Sequence, residues 1–482
     1  MLFQRVKPLD AILATAEKKS LTRTLGALQL TMLGIGAIIG TGIFVLTAEA
    51  ANKAGPAMMI SFVIAAVVCA LAALCYAELA SMVPVSGSAY TYSYATFGEV
   101  VAWIVGWALV LEYAIAASAV SVGWSGYMVS LAEEIFRLDI PNTFVKGPFD
   151  PVAPGETPGL INIPAMLIGL VCMALLIIGT KESARFNAVL VAIKVSALLL
   201  FLALALPAVN AANFEPFSPN GFFAKEVMDP ISNNMVTVGV AAAAASIFFA
   251  YVGFDAVSTA AEETINPQRN IPIGLIGSLS ICTVIYLLVA AGAIGSIGAQ
   301  PGGALSQSDD ALAFVLREIG QGWAGDLVAI AAGLALPSVI LMMMFGQTRI
   351  FFVMARDGLL PDMFSRLHPK YGTPHVVTMC TGIFVALFAA LFPVGKLADI
   401  SNSGTLFAFF TVAVGVMILR RTDPTRHRPF RTPLFWLVCP LAAAGCVFLF
   451  SQLSGYTELM FLGWTLIGLV VYFTYSRGRS HV

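Results

Sequence analysis

Long apolar runs punctuate the chain, and short polar stretches separate them. Residues 65–74 and 197–206 hold no polar side chain, so they are apolar on every face of a helix. A membrane barrel strand would instead alternate apolar and polar residues over about ten positions. A helix crosses the bilayer core with about 20 apolar residues. Twelve stretches fit: 29–50, 57–80, 100–130, 160–179, 187–208, 235–257, 272–294, 327–352, 376–392, 402–419, 434–450 and 458–475. The pattern predicts an all-α polytopic membrane protein with twelve transmembrane helices.

Composition narrows this further. Of 482 residues, 59% are hydrophobic and 11% charged, whereas soluble domains carry about 25% charged residues. A water-soluble enzyme of this length lacks the polar surface it needs, and disorder is excluded by the apolar content. A net charge of -1 leaves no footprint for nucleic acid.

Lys and Arg placement sets direction. With a cytoplasmic N-terminus, the cytoplasmic segments hold 19 of the 26 Lys and Arg, the opposite side holds 6, and Lys194 lies within a span. Both termini are therefore expected inside, in the cytoplasmic (inner) membrane. Residues 1–28 are too long and polar to begin a cleavable signal. Seven Cys without a CxxC pair read as small buried apolar residues. The stretches 133–159, 209–234 and 295–325 read as solvated outer caps.

Two spans contain interruptions. Span 1 carries Gly34-Ile35-Gly36-Ala37-Ile38-Ile39-Gly40-Thr41-Gly42, and span 6 carries Phe248-Phe249-Ala250-Tyr251-Val252-Gly253-Phe254-Asp255. Both begin a five-helix block, spans 1–5 (29–208) and 6–10 (235–419), with 420–482 holding spans 11 and 12. Five is odd, so the second block is expected to be inverted. Inverted halves with matching interrupted helices mark the site of many secondary transporters. The expected breaks are Gly36, Gly40, Gly42 and Gly253. Unwound backbone exposes N–H and C=O groups that are costly in lipid, and a zwitterion pairs both kinds, its carboxylate at a helix N-terminus. An intact helix with a GxxxG packing face at Gly36 and Gly40 is the competing reading.

Charges inside spans are functional candidates by default. Lys194 lies about 10 Å into span 5, where it either meets a partner or snorkels outward. Glu112 lies near the middle of span 3, as a proton-relay or ligand-pairing group or as a protonated structural one. Asp255 and Glu78 sit towards the inner ends of their spans and read as solvated or interfacial. The Met342-Met343-Met344 run reads as packing, and the basic run 420–428 as positive-inside signal touching anionic lipid. Four His without paired spacing predict no metal, and no phosphate-binding loop or other cofactor motif occurs.

The motifs together resemble the amino acid–polyamine–organocation superfamily, and within it the cationic amino acid transporter family and its bacterial relatives, over about residues 20–475. The similar stretches are 34–48, with Ala48 at the usual glycine; Pro84-Val85-Ser86-Gly87-Ser88-Ala89-Tyr90 with Gly98-Glu99; and Lys181-Glu182-Ser183-Ala184-Arg185-Phe186-Asn187. They continue with Gly253-Phe254-Asp255, Glu262-Glu263, Asn266-Pro267, Gly346-Gln347-Thr348-Arg349 and Ala355-Arg356-Asp357-Gly358.

The resemblance implies a leucine-transporter-like fold, a 5+5 inverted repeat plus two helices. It places carboxylate contacts on Ile38, Thr41 and Gly42, ammonium-binding carbonyls on Phe249, Ala250 and Val252, a lid on the Phe249 ring, and the family lysine on Lys194. The size-setting position of span 8 falls on Leu336, with Pro337 beside it departing from the pattern. A bulky Leu336 favours small to medium neutral L-amino acids, with cationic amino acids or exchange as the alternative. A non-transporting amino acid sensor is the reading of another class. Coupling is expected to protons through Lys194, tuned by Glu112, and not to sodium. Expected partners are the amino acid, protons and membrane lipids, with a monomer or weak oligomer as the assembly.

Overall fold

The computed structural model describes residues 25–85, 87–137, 140–151, 157–179, 184–228 and 235–480. Most of the N-terminal segment 1–28, Ser86 of the 84–90 motif, and Lys181, Glu182 and Ser183 of the span 5 motif lie outside the described residues.

Each predicted stretch holds helix. Span 1 is built of α1 (Ala27–Ile38), α2 (Thr41–Phe44) and α3 (Leu46–Ala54). Then come α4 (Met58–Met82), the short α5 (Ser88–Thr96) and α6 (Glu99–Phe136). A single turn, α7 (Asn142–Val145), precedes α8 (Ile163–Ile178) and α9 (Ala184–Ala205). Span 6 comprises α10 (Val240–Ile247), a 3-10 turn (Phe248–Tyr251) and α11 (Ala256–Thr259). The rest are α12 (Pro267–Ile297), α13 (Ala311–Glu318), α14 (Gly322–Arg356), α15 (His375–Leu391), α16 (Val394–Thr422), α17 (Phe435–Phe450) and α18 (Gly455–Thr474). Among the described residues, eight helical stretches are long and apolar enough to cross a bilayer, and four more are apolar helices of 10–17 residues.

The helices pack in two sets. In one, α12 lies along α1 and α4, and α10 lies on α4; in the other, α6 runs against α14 and α15, with α8 on α15. The helix α16 packs on α6 and carries α17, while α9 joins the sets by touching both α1 and α14. At 38 residues α6 is about 57 Å long, more than the hydrocarbon core requires, so it serves as the spine of the second set. Trp103 and Trp107 of α6 stack, and Trp107 stacks on Trp464 of α18 at 4.8 Å between ring centroids. Each of Trp107 and Trp464 donates its indole N–H to the other's carbonyl.

Two sequence expectations are corrected here. Span 6 begins at Val240 and not at 235, because β1 (Lys225–Met228) and β2 (Met235–Val238) pair antiparallel with Met228 opposite Met235. The run Val236-Thr237-Val238 is β-branched and suits a strand. The stretch 295–325 is also no simple solvated cap. Its helix α13 buries Leu312, Val315 and Leu316, while Arg317 and Asp310 pair at 2.7 Å and Ser130 of α6 donates to Asp310.

Candidate binding site at the two helix breaks

Helix α1 stops at Ile38. Ile39 is extended at φ -71°, ψ 99°, and helix resumes at Thr41. In span 6 the 3-10 turn ends at Val252, also extended, and Gly253 takes φ +115°. That conformation is open to glycine and strained for other residues. The intact-helix reading is therefore set aside. The breaks lie at Ile39–Gly40 and Val252–Gly253. Gly36 and Gly42, expected among them, sit inside the flanking helices α1 and α2.

The breaks touch. A Cβ on Gly42 would fall 2.2 Å from the Ala250 Cα, and one on Gly253 would fall 2.9 Å from the Ala37 carbonyl. Glycine is needed at 42 for this close approach of the two backbones. On the third side stands α14, with Val339 facing Gly40. Leu336 is buried three residues earlier on the same helix, one turn along the same face.

Polar groups divide across the break in span 1. The carbonyls ending α1 accept hydrogen bonds from outside the helix: Lys194 donates to Gly36 at 2.9 Å, and the Tyr286 hydroxyl to Ile38 at 2.9 Å. Lys194 is 1% exposed, so it points inward, and the snorkelling reading fails. Beyond the break, the first turn of α2 has backbone N–H groups with no partner inside the helix. Thr41 lies there, fully buried, its Oγ1 without a hydrogen-bond partner and packed towards Gly123 of α6. Donors thus line one side of the gap and acceptors the other. Ile38 falls on the acceptor side, which opposes its expected contact with a carboxylate. Phe249, Ala250 and Val252 are buried at the opposing break.

The acids are placed unexpectedly. Asp255 is 1% exposed and accepts a hydrogen bond from the Tyr113 hydroxyl at 2.9 Å, so it is no solvated end group. Glu112, 2% exposed, faces α16: its side chain lies by Thr405, and Ser401 donates to its backbone carbonyl at 3.1 Å. Its Oε2 has no hydrogen-bond partner, and a second buried acid, Asp255, lies within electrostatic reach. Glu78, also read as solvated, is 1% exposed. Arg420 grips it with two hydrogen bonds of 2.9 and 2.6 Å, Arg428 stands at 3.4 Å, and the Thr432 amide donates at 2.7 Å. Two arginines of the basic run thus serve a buried acid.

Several residues at or near the site escaped sequence reading. Tyr286 and Val339 sit in apolar runs that carry no local mark. Lys53 entered only as an outer-loop charge, yet it is buried between Asp399 and Glu49, each at 3.2 Å, and donates to Ser246 at 2.6 Å. It ties α3 to α10 and α16 above the breaks. Asn402 adds hydrogen bonds of 2.7 and 3.1 Å to the Ala245 and Ser246 carbonyls. Asp399 and Asn402, three and six residues after Lys396 at the start of an apolar run, were the available signal.

Comparison with known proteins places this arrangement. The family model described as amino acid permease matches residues 25–475. The branched-chain amino acid permease BcaP of Bacillus subtilis (strain 168) is 46% identical, covering 99% of this chain and 98% of that protein. The methylthioribose transporter of the same organism is 43% identical with the same coverage. The vacuolar cationic amino acid transporter 4 of Arabidopsis thaliana is 36% identical over 84% of this chain and 64% of its own length.

Proposed function

The chain belongs to the amino acid permease family, and from that premise we propose that it is a proton-driven, sodium-independent transporter of neutral L-amino acids with small to medium side chains, branched aliphatic ones among them. It is a permease and not an enzyme. In this reading both termini face the cytoplasm, the twelve stretches all cross the membrane, and spans 1–5 and 6–10 form inverted halves.

One observation carries the reading: the buried, unpartnered Thr41 hydroxyl at the first turn beyond the span 1 break, opposite carbonyls held by Lys194 and Tyr286. The substrate carboxylate takes the Thr41 side, with the Thr41 and Gly42 amides. Its ammonium meets the carbonyls of Phe249, Ala250 and Val252, beneath the Phe249 ring. The aliphatic chain runs towards Val339 and Leu336, which accept apolar groups and offer no partner to a second charge. Charged Lys194 holds α1 through Gly36. Loss of its proton frees α1 to move, so one charge biases a two-state helix. Glu112 and Asp255 form a second acidic centre that tunes the cycle.

The test is uptake of radiolabelled leucine by purified protein in liposomes, with proton and sodium gradients imposed separately. An inward proton gradient is expected to drive accumulation, a sodium gradient is not, and unlabelled leucine is expected to compete better than arginine or methylthioribose. Methylthioribose belongs in the assay because its transporter is nearly as similar as the branched-chain permease. Binding without flux would identify a sensor instead, and preferred competition by arginine or methylthioribose would overturn the substrate assignment.

A further inference from the structure

A groove of about 620 Å³ lies away from the breaks, between the first turns of α12 and the loop joining α16 to α17. Its lining is mostly apolar, with Ile273, Ile276, Pro429 and Phe430, and Gln268 and Arg269 supply its polar side chains. Among the described residues no acid lines it. Arg269 is exposed, and so is the neighbouring Arg431. Ile273 is 43% exposed on the outer face of α12, while the inner face of the same turns packs Gly274 against Leu30 of α1. The loop side is fixed, because Arg420, Arg428 and Thr432 are held on Glu78.

We propose that this groove binds an anionic phospholipid of the cytoplasmic leaflet, a site that rests on the orientation proposed above. An apolar slot with a cation in its lining and no acid matches one acyl chain and a negative headgroup. At the leaflet boundary, basic pockets between membrane helices on the cytoplasmic side take such lipids. The acyl chain lies along Ile273 and Ile276, and the phosphate sits at Arg269. Because α12 carries α1 on its other face, the lipid is one packing layer from the broken span.

The experiment is native mass spectrometry of the purified full chain titrated with phosphatidylglycerol, phosphatidylcholine or inorganic phosphate. The wild type is expected to retain one phosphatidylglycerol more tightly than phosphatidylcholine and to ignore millimolar phosphate. Arg269→Gln is expected to weaken phosphatidylglycerol about fivefold and leave phosphatidylcholine unchanged. Ile273→Trp, at an exposed position that folding tolerates, is expected to displace both lipids. Equal retention of the two lipids, equal binding of free phosphate, or no change in Arg269→Gln would each overturn the proposal. Leucine uptake by both variants in phosphatidylcholine liposomes keeps the tests apart: loss of lipid retention with uptake intact concerns the groove alone, and absent uptake in the wild type concerns the transport reading alone.

Discussion

Glu78 and Glu112 are both carboxylates buried within apolar helices, at 1% and 2% exposure. They differ in what surrounds them. Glu78 meets two guanidinium groups and a backbone amide, which saturate its oxygens and anchor the loop between α16 and α17 to α4. Glu112 keeps one oxygen without a partner and has another buried acid, Asp255, within electrostatic reach. Burial alone therefore does not mark a working residue. A saturated carboxylate is a fastening, because a buried pair resists any change of its partners. An unsaturated one near a second acid keeps a site at which a proton or a partner can be exchanged.

Substitutions sharpen the contrast, ranked by their effect on stability. Glu78→Ala leaves two arginines beside an empty site and is expected to destabilise by about 3–5 kcal/mol. Thermal unfolding of purified protein in detergent reads this as a large drop in midpoint, and an unchanged midpoint would show that Glu78 fastens nothing. Tyr113→Phe removes the donor to Asp255 and is expected to cost about 1–3 kcal/mol, with a changed pH profile of uptake. Glu112→Gln is expected to cost less than about 1 kcal/mol while lowering transport at least about tenfold. A large loss of stability in Glu112→Gln, with transport intact, would reverse the roles of the two acids.

The smallest effect concerns a half-buried acid, Asp150, in the loop before α8. Burial pushes its carboxyl up to about 6, against the pull of the Gly147 amide that donates to it. The folded chain then holds this proton more tightly than the unfolded chain does. Its contribution to stability is present below the ordinary carboxylate range and falls as pH rises from about 4 to about 6. Unfolding midpoints across that window are expected to decline slightly in wild type and to be flatter in Asp150→Asn.

The fold was largely written in hydropathy, because a bilayer demands long apolar runs and each one found a helix. The breaks were legible at Gly40 and Gly253, where glycine stands inside an apolar run. Gly36 and Gly42 look the same in sequence, and only packing shows that they sit within helices, Gly42 because Ala250 presses against it. Lys194 was legible because a mid-span charge needs a partner, although Gly36 as that partner was not. Glu78 and Asp255 misled, since proximity to a span end suggests solvent and the partners that bury them lie 142 to 354 residues away in the chain. Likewise, helix α16 begins eight residues before the apolar run of span 10, because Asp399 is paired to Lys53.

The central claim is that Lys194, through the Gly36 carbonyl, couples a proton to the broken first span. Its most direct measurement is leucine accumulation by Lys194→Ala in liposomes under an imposed proton gradient, with leucine binding measured on the same preparation. The expected result is retained binding and no accumulation above equilibrium. A variant that still concentrates leucine as the gradient is applied would contradict it.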